Sequence, residues 1–235
     1  MKKGNRNKIS HTIKKWRPGD YIRQLSIVIA GIVVTFIGSD IISDYSRQKE
    51  VASVMQLVKS ELEYNREKLT QIKSKIDTDS IMSVILLERN LKYQDIPEDT
   101  LIAYVGLLQS TASFKYSQNA LTMLQNSSLM QYIPDKAFLL SLIQTYESLR
   151  GIEAEISVLY TKKIACQNEA LNELTNEDRV AINRGGIKEF YRVLLSSQKM
   201  VNYIYTVPAF FDEGAFEDVY SKLDESIRGI DRKYE

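Results

Sequence analysis

The chain has 235 residues, of which 44% are hydrophobic and 26% charged. These values suit one domain of ordinary size plus an anchor and exclude a disordered or mostly membrane-embedded protein. The net charge of +1 hides an asymmetry, because residues 1–23 hold eight Lys or Arg and a single acid, Asp20, whereas the remainder is net negative. A basic N-terminal segment followed by an acidic remainder indicates that the two parts lie in different compartments. It argues against a nucleic-acid-binding surface.

A run without charge follows the basic head. Residues 24–39 contain no charged side chain, and as a helix they would cover about 24 Å. Extending the helix to 21–43 reaches the ~30 Å of a hydrocarbon core if Arg23 snorkels toward the interface. We therefore predict a transmembrane helix over 21–43. Two alternatives remain, a cleaved signal peptide and a short buried helix, although the best cleavage candidate, Ile37-Gly38-Ser39, begins with a bulky residue.

The charges around this run predict its orientation. The flank after it, Asp40–Glu50, has two bases and three acids. By the positive-inside rule, residues 1–20 form a basic cytoplasmic tail and residues 44–235 lie outside. In a Gram-negative cell this predicts an inner-membrane protein with its N-terminus inside and a periplasmic C-terminal domain.

Contacts with the membrane are predicted for two groups of residues. Aromatic and basic side chains near the start of the span favour the interface. Small residues further along share one helix face and permit the close approach of a second transmembrane helix. The partners predicted are therefore the lipid bilayer and either a second copy of the chain or another membrane protein. These membrane-contact residues are Trp16, Tyr21, Arg23, Gly31, Thr35 and Gly38.

An apolar stripe follows the span, where no Gly or Pro occurs between Gly38 and Pro97. Over 45–77 the stripe advances mostly by alternating steps of three and four, which predicts one long helix continuing from the span. The stripe packs either on later helices of the same domain or in a coiled coil. Its one polar member, Asn65, can specify register there, so we expect a leucine at this position to keep or raise stability. The predicted helix seam is Val58, Leu62, Asn65, Leu69 and Ile72.

The rest of the chain also has helical periodicity, and no convincing strand pattern occurs. The fold class predicted is all-α, with one transmembrane helix continuing into an antiparallel helical bundle. Its domains are a tail over 1–20, a span over 21–43 and an extracytoplasmic domain over 44–235. Further predicted elements are helices over 80–91, 97–109, 117–125, 134–174 with a kink at Gly151, 190–204 and 215–230, a turn at 183–186 and a loop at 208–214.

The sequence contains few of the residue patterns that catalytic sites require. His11 is the only histidine and lies in the basic tail, which excludes a Ser-His-Asp triad or a histidine metal site in the outer domain. The single cysteine, Cys166, excludes thiolate clusters and internal disulfides. No glycine-rich phosphate loop occurs. We therefore predict no enzyme activity, no catalytic, cofactor-binding or metal-binding residues, and no cofactor.

Three segments carry a resemblance to a known family. They are LSIVIAGIVVTFIGSDI, VKSELEYNREKL and SFKYSQNALTMLQNSSLMQYIPDKAFLLSLIQTYESL, within residues 20–150. The chain resembles a family of uncharacterised single-pass membrane proteins of Gram-negative bacteria with a helical extracytoplasmic region. It departs from that pattern at Ser127-Ser128, where the family has a Ser-Gly break, and it lacks a Trp after the span. The family has no assigned activity, so the resemblance implies architecture alone.

Three functions compete. The favoured one is a membrane-anchored, non-enzymatic interaction or scaffold module of the cell envelope. The alternative is an extracytoplasmic ligand-sensing domain that acts through a membrane partner, since the short tail has no room for an output domain. A carboxylate-based envelope enzyme is third. Among the fourteen tyrosines, buried rings are the ordinary explanation, and an aromatic-lined partner groove is the functional one.

Overall fold

The computed structural model describes the backbone from Pro18 to Tyr234 and the side chains from Asp44 to Tyr234. Every regular element in this part of the chain is helical, which confirms the all-α class. The predicted tail, span and membrane-contact residues lie outside the described side chains and stay predictions. Within the part that is described, no helix has both the length and the apolar character needed to cross a membrane.

Residues Glu50–Glu235 form a compact unit of their own, and the contacts reported below lie within it. Short 3₁₀ helices occur at Tyr93–Asp95, Ser128–Tyr132 and Val207–Ala209. The α-helices of the described chain are α1 (Pro18–Glu88), α2 (Glu98–Ala103), α3 (Gly106–Gln109), α4 (Asn119–Asn126), α5 (Lys136–Asn172), α6 (Asn176–Leu195), α7 (Gln198–Thr206) and α8 (Ala215–Tyr234).

The first helix is longer than predicted. The pieces expected over 45–77 and 80–91 belong to one helix that ends at Glu88. The two pieces join through Asp79, which is buried in step with Ile76 and Met82. The helix ends where Asn90 and Leu91 take positive φ angles, a conformation that cannot continue a right-handed helix.

Other boundaries differ locally. The helix predicted over 97–109 is divided into α2 and α3, and the one over 190–204 is divided between α6 and α7. The predicted turn at 183–186 is a kink inside α6, where Gly186 has φ 69° and ψ −154°, a region open mainly to glycine. The kink expected at Gly151 is absent from α5, which runs through this position as one helix.

Long-range hydrogen bonds fix the helix directions. Glu61 and Asp79 of α1 bond Tyr146 and Lys163 of α5 in the same order along both helices, so α1 and α5 run parallel. The predicted antiparallel bundle is therefore wrong for the two longest helices. The reason is the connection over 89–135, which returns the chain to the level of Glu61 before α5 begins.

The last helix restores the antiparallel arrangement. On α8, Asp224 pairs with Arg66 of α1, and Asp231 pairs with Lys59, about two turns earlier on α1. Lys233 likewise bonds Asp135, the N-cap of α5. Thus α8 runs opposite to both α1 and α5. The predicted seam residues face this core, since Val58, Leu62, Asn65, Leu69 and Ile72 are all buried.

Close packing of α8 on α5 gives a test with a matched control. A Cβ at Gly229 would lie 2.4 Å from Cε2 of Phe138, whereas one at Gly151 would meet nothing within 4 Å. Gly229→Ala should lower the free energy of unfolding by about 1–3 kcal/mol through overpacking. Gly151→Ala should raise it by about 0.5–1 kcal/mol, because alanine is the better helix former. Urea denaturation followed by circular dichroism measures both, and shifts of the same sign would contradict the close approach.

Candidate interaction site

A buried carboxylate on α1 holds the start of α4. Both carboxylate oxygens of Glu61 accept hydrogen bonds: Oε2 from the Ser117 hydroxyl at 2.7 Å and the Ala120 backbone N–H at 3.0 Å, and Oε1 from the Tyr146 hydroxyl at 2.7 Å. No side chain of its own segment caps α4. Glu61 therefore acts as the N-cap from another helix, where a negative charge is favourable.

Asn65, one turn further along α1, binds the same segment through its backbone. Its amide nitrogen donates to the Ser117 carbonyl at 2.8 Å, and its amide oxygen accepts from the Ser117 N–H at 2.7 Å. From the other side, Glu153 of α5 accepts from the Tyr116 N–H at 3.2 Å. We call the contacts of Glu61 and Asn65 with Ser117 and Ala120 the latch. The latch fixes an extended segment and α4 against α1.

An apolar groove lies beside the latch, between α1 and α4. Its volume is about 420 Å³, and its lining includes Leu57, Tyr64, Ala120 and Met123. Leu57, Tyr64 and Met123 are 51%, 50% and 44% exposed, although side chains of this size favour burial. The groove is thus an exposed apolar surface with walls on two elements.

A second groove continues along α1 from Tyr64. It has a volume of about 340 Å³ and lies between α1 and the irregular segment over 112–115. Lys68, Lys75 and Lys115 line it, and no Asp or Glu is among its lining residues. The Lys68 ammonium lies 5.5 Å from the Tyr64 ring centroid, a cation–π distance. We call this surface the basic groove and its neighbour the apolar groove.

The one strongly buried ion pair in the described part of the chain lies deeper. Lys163 of α5 donates to Asp79 Oδ2 at 2.6 Å and to the Gly106 carbonyl at 2.9 Å. The Tyr203 hydroxyl donates to the same Asp79 oxygen at 3.4 Å. Lys163 is 0% and Asp79 3% exposed, so these contacts join α1, α3, α5 and α7 at the centre of the unit.

Burial governs the protonation of this centre. It raises the pKa of Asp79, which the Lys163 ammonium partly opposes. It likewise lowers the pKa of Lys163, which Asp79 partly opposes. Burial also raises the pKa of the Tyr203 hydroxyl. Acid–base groups are present here, but they are bonded to one another and enclosed, so the arrangement connects helices and offers no face to a substrate.

The described side chains form no cluster that could hold a metal ion. Among the side chains from Asp44 to Tyr234, no three His, Cys, Asp or Glu groups lie close enough to hold a metal ion. Cys166 is buried, and its pKa is raised by that burial, which disfavours the reactive thiolate.

No family model, curated protein or solved structure matches this chain. The resemblance to single-pass membrane proteins therefore stays a prediction. Two of the three segments that carry it do meet in space, because Glu61 and Asn65 of the second contact Ser117 of the third.

Sequence reasoning missed both grooves. It assigned the buried seam of α1 but not the stripe directly beside it, formed by Leu57, Tyr64, Lys68 and Lys75 at steps of seven, four and seven. These steps place the four residues near one helix face. The opposite walls come from α4 and the segment over 112–115, and no local pattern predicts which helix those residues contact.

Proposed function

We propose that this chain is a single-pass, membrane-anchored and non-enzymatic interaction module of the bacterial envelope. Its helical domain docks a segment of another protein in the apolar groove. The anchor and the periplasmic location rest on the sequence. The docking surface is supported by one observation above all, the half-exposed Leu57, Tyr64 and Met123 in one groove.

The walls of the groove favour binding in a second way. The latch ties the two walls together through partly buried hydrogen bonds that Ser117 and Ala120 donate to Glu61. A preformed surface loses little conformational freedom on binding, so more of the apolar contact energy contributes to affinity. Exposed aromatic and methionine side chains are enriched at such interfaces.

The second candidate, a ligand-sensing domain that acts through a membrane partner, is favoured by the basic groove. Its volume of about 340 Å³ lies within the range of small-molecule pockets. Its three lysines would select an anionic ligand. This candidate requires that a small anion bind without contact to Leu57 or Met123.

Site-specific crosslinking in native membranes tests the proposal. Tyr64 is replaced by a photoreactive phenylalanine analogue, with the same replacement at Tyr205 as control, since Tyr205 is 63% exposed and lines neither groove. We expect one discrete crosslinked species at position 64, whose peptide mass spectrum belongs to another protein. Leu57→Ser with Met123→Ser should remove it. Crosslinks to lipid alone would contradict docking, and a peptide of this same chain would indicate a homo-oligomer instead.

A further inference from the structure

Three lysines line the basic groove without a counter-charge. Lys68, Lys75 and Lys115 are exposed, and none forms an ion pair with another described residue. The surfaces nearby differ in this respect. A neighbouring groove on α1, which shares Gln71 with the basic groove, mixes Arg66 with two glutamates. The groove along α8 mixes two arginines with two acids.

The background charge makes this cluster unusual. Residues 44–235 contain 23 Lys or Arg and 28 Asp or Glu, so the domain is net negative. Three cations around one small groove repel one another, and an anion placed between them relieves that repulsion. The groove is therefore electrostatically complementary to a group of negative charges.

We infer that the segment docked by this domain is acidic, with apolar side chains against Leu57 and Met123 and carboxylates against Lys68, Lys75 and Lys115. This inference rests on the proposed function and adds the chemistry of the partner. Tyr64 lines both grooves, so one continuous ligand contacts both.

The dimensions suit a peptide. Leu57 and Lys75 lie eighteen residues apart on α1, which is about 27 Å along the helix. A helical segment of about five turns, or roughly eight extended residues, covers that length. The proposed segment has its apolar residues at the end near Leu57 and its carboxylates at the end near Lys75.

Other polyanions match the surface less well. A nucleic acid would use the lysines but leave Leu57 and Met123 without apolar partners. An anionic lipid surface offers both acyl chains and charged headgroups, but its charge extends over a wide area. The net negative domain around the basic groove would repel an extended polyanion. A local group of carboxylates on a short segment avoids this repulsion.

A displayed random-peptide library measures the preference without a known partner. Peptides of about 18 residues, roughly 27 Å as a helix, are selected on the full chain in detergent micelles. Clones that also bind the Leu57→Ser, Met123→Ser variant are discarded. We expect the remaining clones to combine apolar residues with several Asp or Glu. Neutral or basic clones would overturn the acidic inference but leave docking intact, and an absence of groove-dependent clones would overturn docking itself.

The selected peptide then tests the lysines directly by fluorescence anisotropy. Lys68→Gln, Lys75→Gln and Lys115→Gln together should weaken its binding at least tenfold, and about 0.5 M salt should weaken binding to the native chain. The matched control is Lys92→Gln, Arg184→Gln and Lys188→Gln, which removes equal charge from exposed positions outside both grooves.

Lys115→Gln alone, in a segment outside the helices, provides a variant with little risk of misfolding, and a roughly threefold loss is expected. Equal affinities for the groove and control variants would contradict the inference. So would equal binding of the same peptide with its acids changed to amides. Tight binding of inorganic phosphate that is independent of Leu57 and Met123 would favour the small-anion sensor instead.

Discussion

Replacing Lys163 by methionine should lower the free energy of unfolding by about 3–5 kcal/mol, the usual cost of leaving one partner of a buried ion pair alone. Methionine has a similar length and keeps the packing. Asp79, 3% exposed, would then retain only the Tyr203 hydroxyl as a donor. Urea denaturation of the full chain, followed by circular dichroism, measures the loss.

The pH dependence follows from the directions of the two pKa shifts. Burial already raises the pKa of Asp79, and removing Lys163 raises it further. A raised folded-state pKa gives stability that is present at acidic pH and is lost as the pH rises through it. The deficit of Lys163→Met relative to the native chain should therefore be smaller at about pH 4, close to the ordinary pKa of an aspartate, than at about pH 8.

Asp79→Asn should show the opposite trend. Burial lowers the pKa of Lys163, and loss of the Asp79 charge lowers it further. A depressed folded-state pKa gives stability that is lost as the pH falls through it. This variant should therefore gain stability as the pH is raised from about 7 to about 10, below the ordinary pKa of a lysine.

The double variant Asp79→Leu, Lys163→Met separates the ion pair from packing. Replacing both buried charges by apolar side chains is often neutral or stabilising. We expect the double variant to be more stable than either single variant, with no pH trend from this centre. A double variant as unstable as Lys163→Met alone would show that the loss comes from packing.

Asn65→Leu should lower the free energy of unfolding by about 2–4 kcal/mol, which reverses the expectation from the sequence. Leucine suits a helix seam, but Asn65 is 0% exposed and satisfies both backbone groups of Ser117. Its loss leaves a backbone N–H and a carbonyl without partners, at about 1–3 kcal/mol each. The added apolar burial offsets only part of this cost.

Ser83→Ala is the matched control on the same helix. The Ser83 hydroxyl is also buried, but it has no hydrogen-bond partner among the described residues. Its removal should leave stability unchanged or raise it by about 1 kcal/mol. Equal losses of unfolding free energy for Asn65→Leu and Ser83→Ala would contradict this prediction. They would indicate that any buried polar side chain of α1 stabilises the fold, whether or not it bonds Ser117.

The sequence predicted what depends on local periodicity. Steps of three and four located the buried face of α1 from Val58 to Ile72, and Pro134-Asp135 located the start of α5, where Asp135 is the N-cap. Asp79 shows the limit. It continues the same buried stripe, but the predicted stripe ended at residue 77, since no local pattern shows that Asp79 pairs with Lys163, which is 84 residues away.

The candidate site was beyond prediction for a related reason. Glu61 and Ser117 are 56 residues apart. No local pattern in the sequence indicates that the segment before α4 packs against α1 beside Glu61. The parallel direction of α1 and α5 was equally inaccessible, since helix periodicity carries no information about relative direction. Only the connection over 89–135, with its broken short helices, sets that direction.

Because Glu61 caps α4 from a different helix, one wall of the apolar groove is ordered by the other. A helix of eight residues is marginal on its own, so α4 depends on packing of Leu121 and Leu124 in the core and on the cap from Glu61, which contributes about 1 kcal/mol. A ligand that bridges Leu57 and Met123 stabilises the same arrangement, and such coupling is reciprocal. Tyr146 of α5 shares the carboxylate, so a small shift of α5 relative to α1 would change the affinity of a surface that α5 does not line.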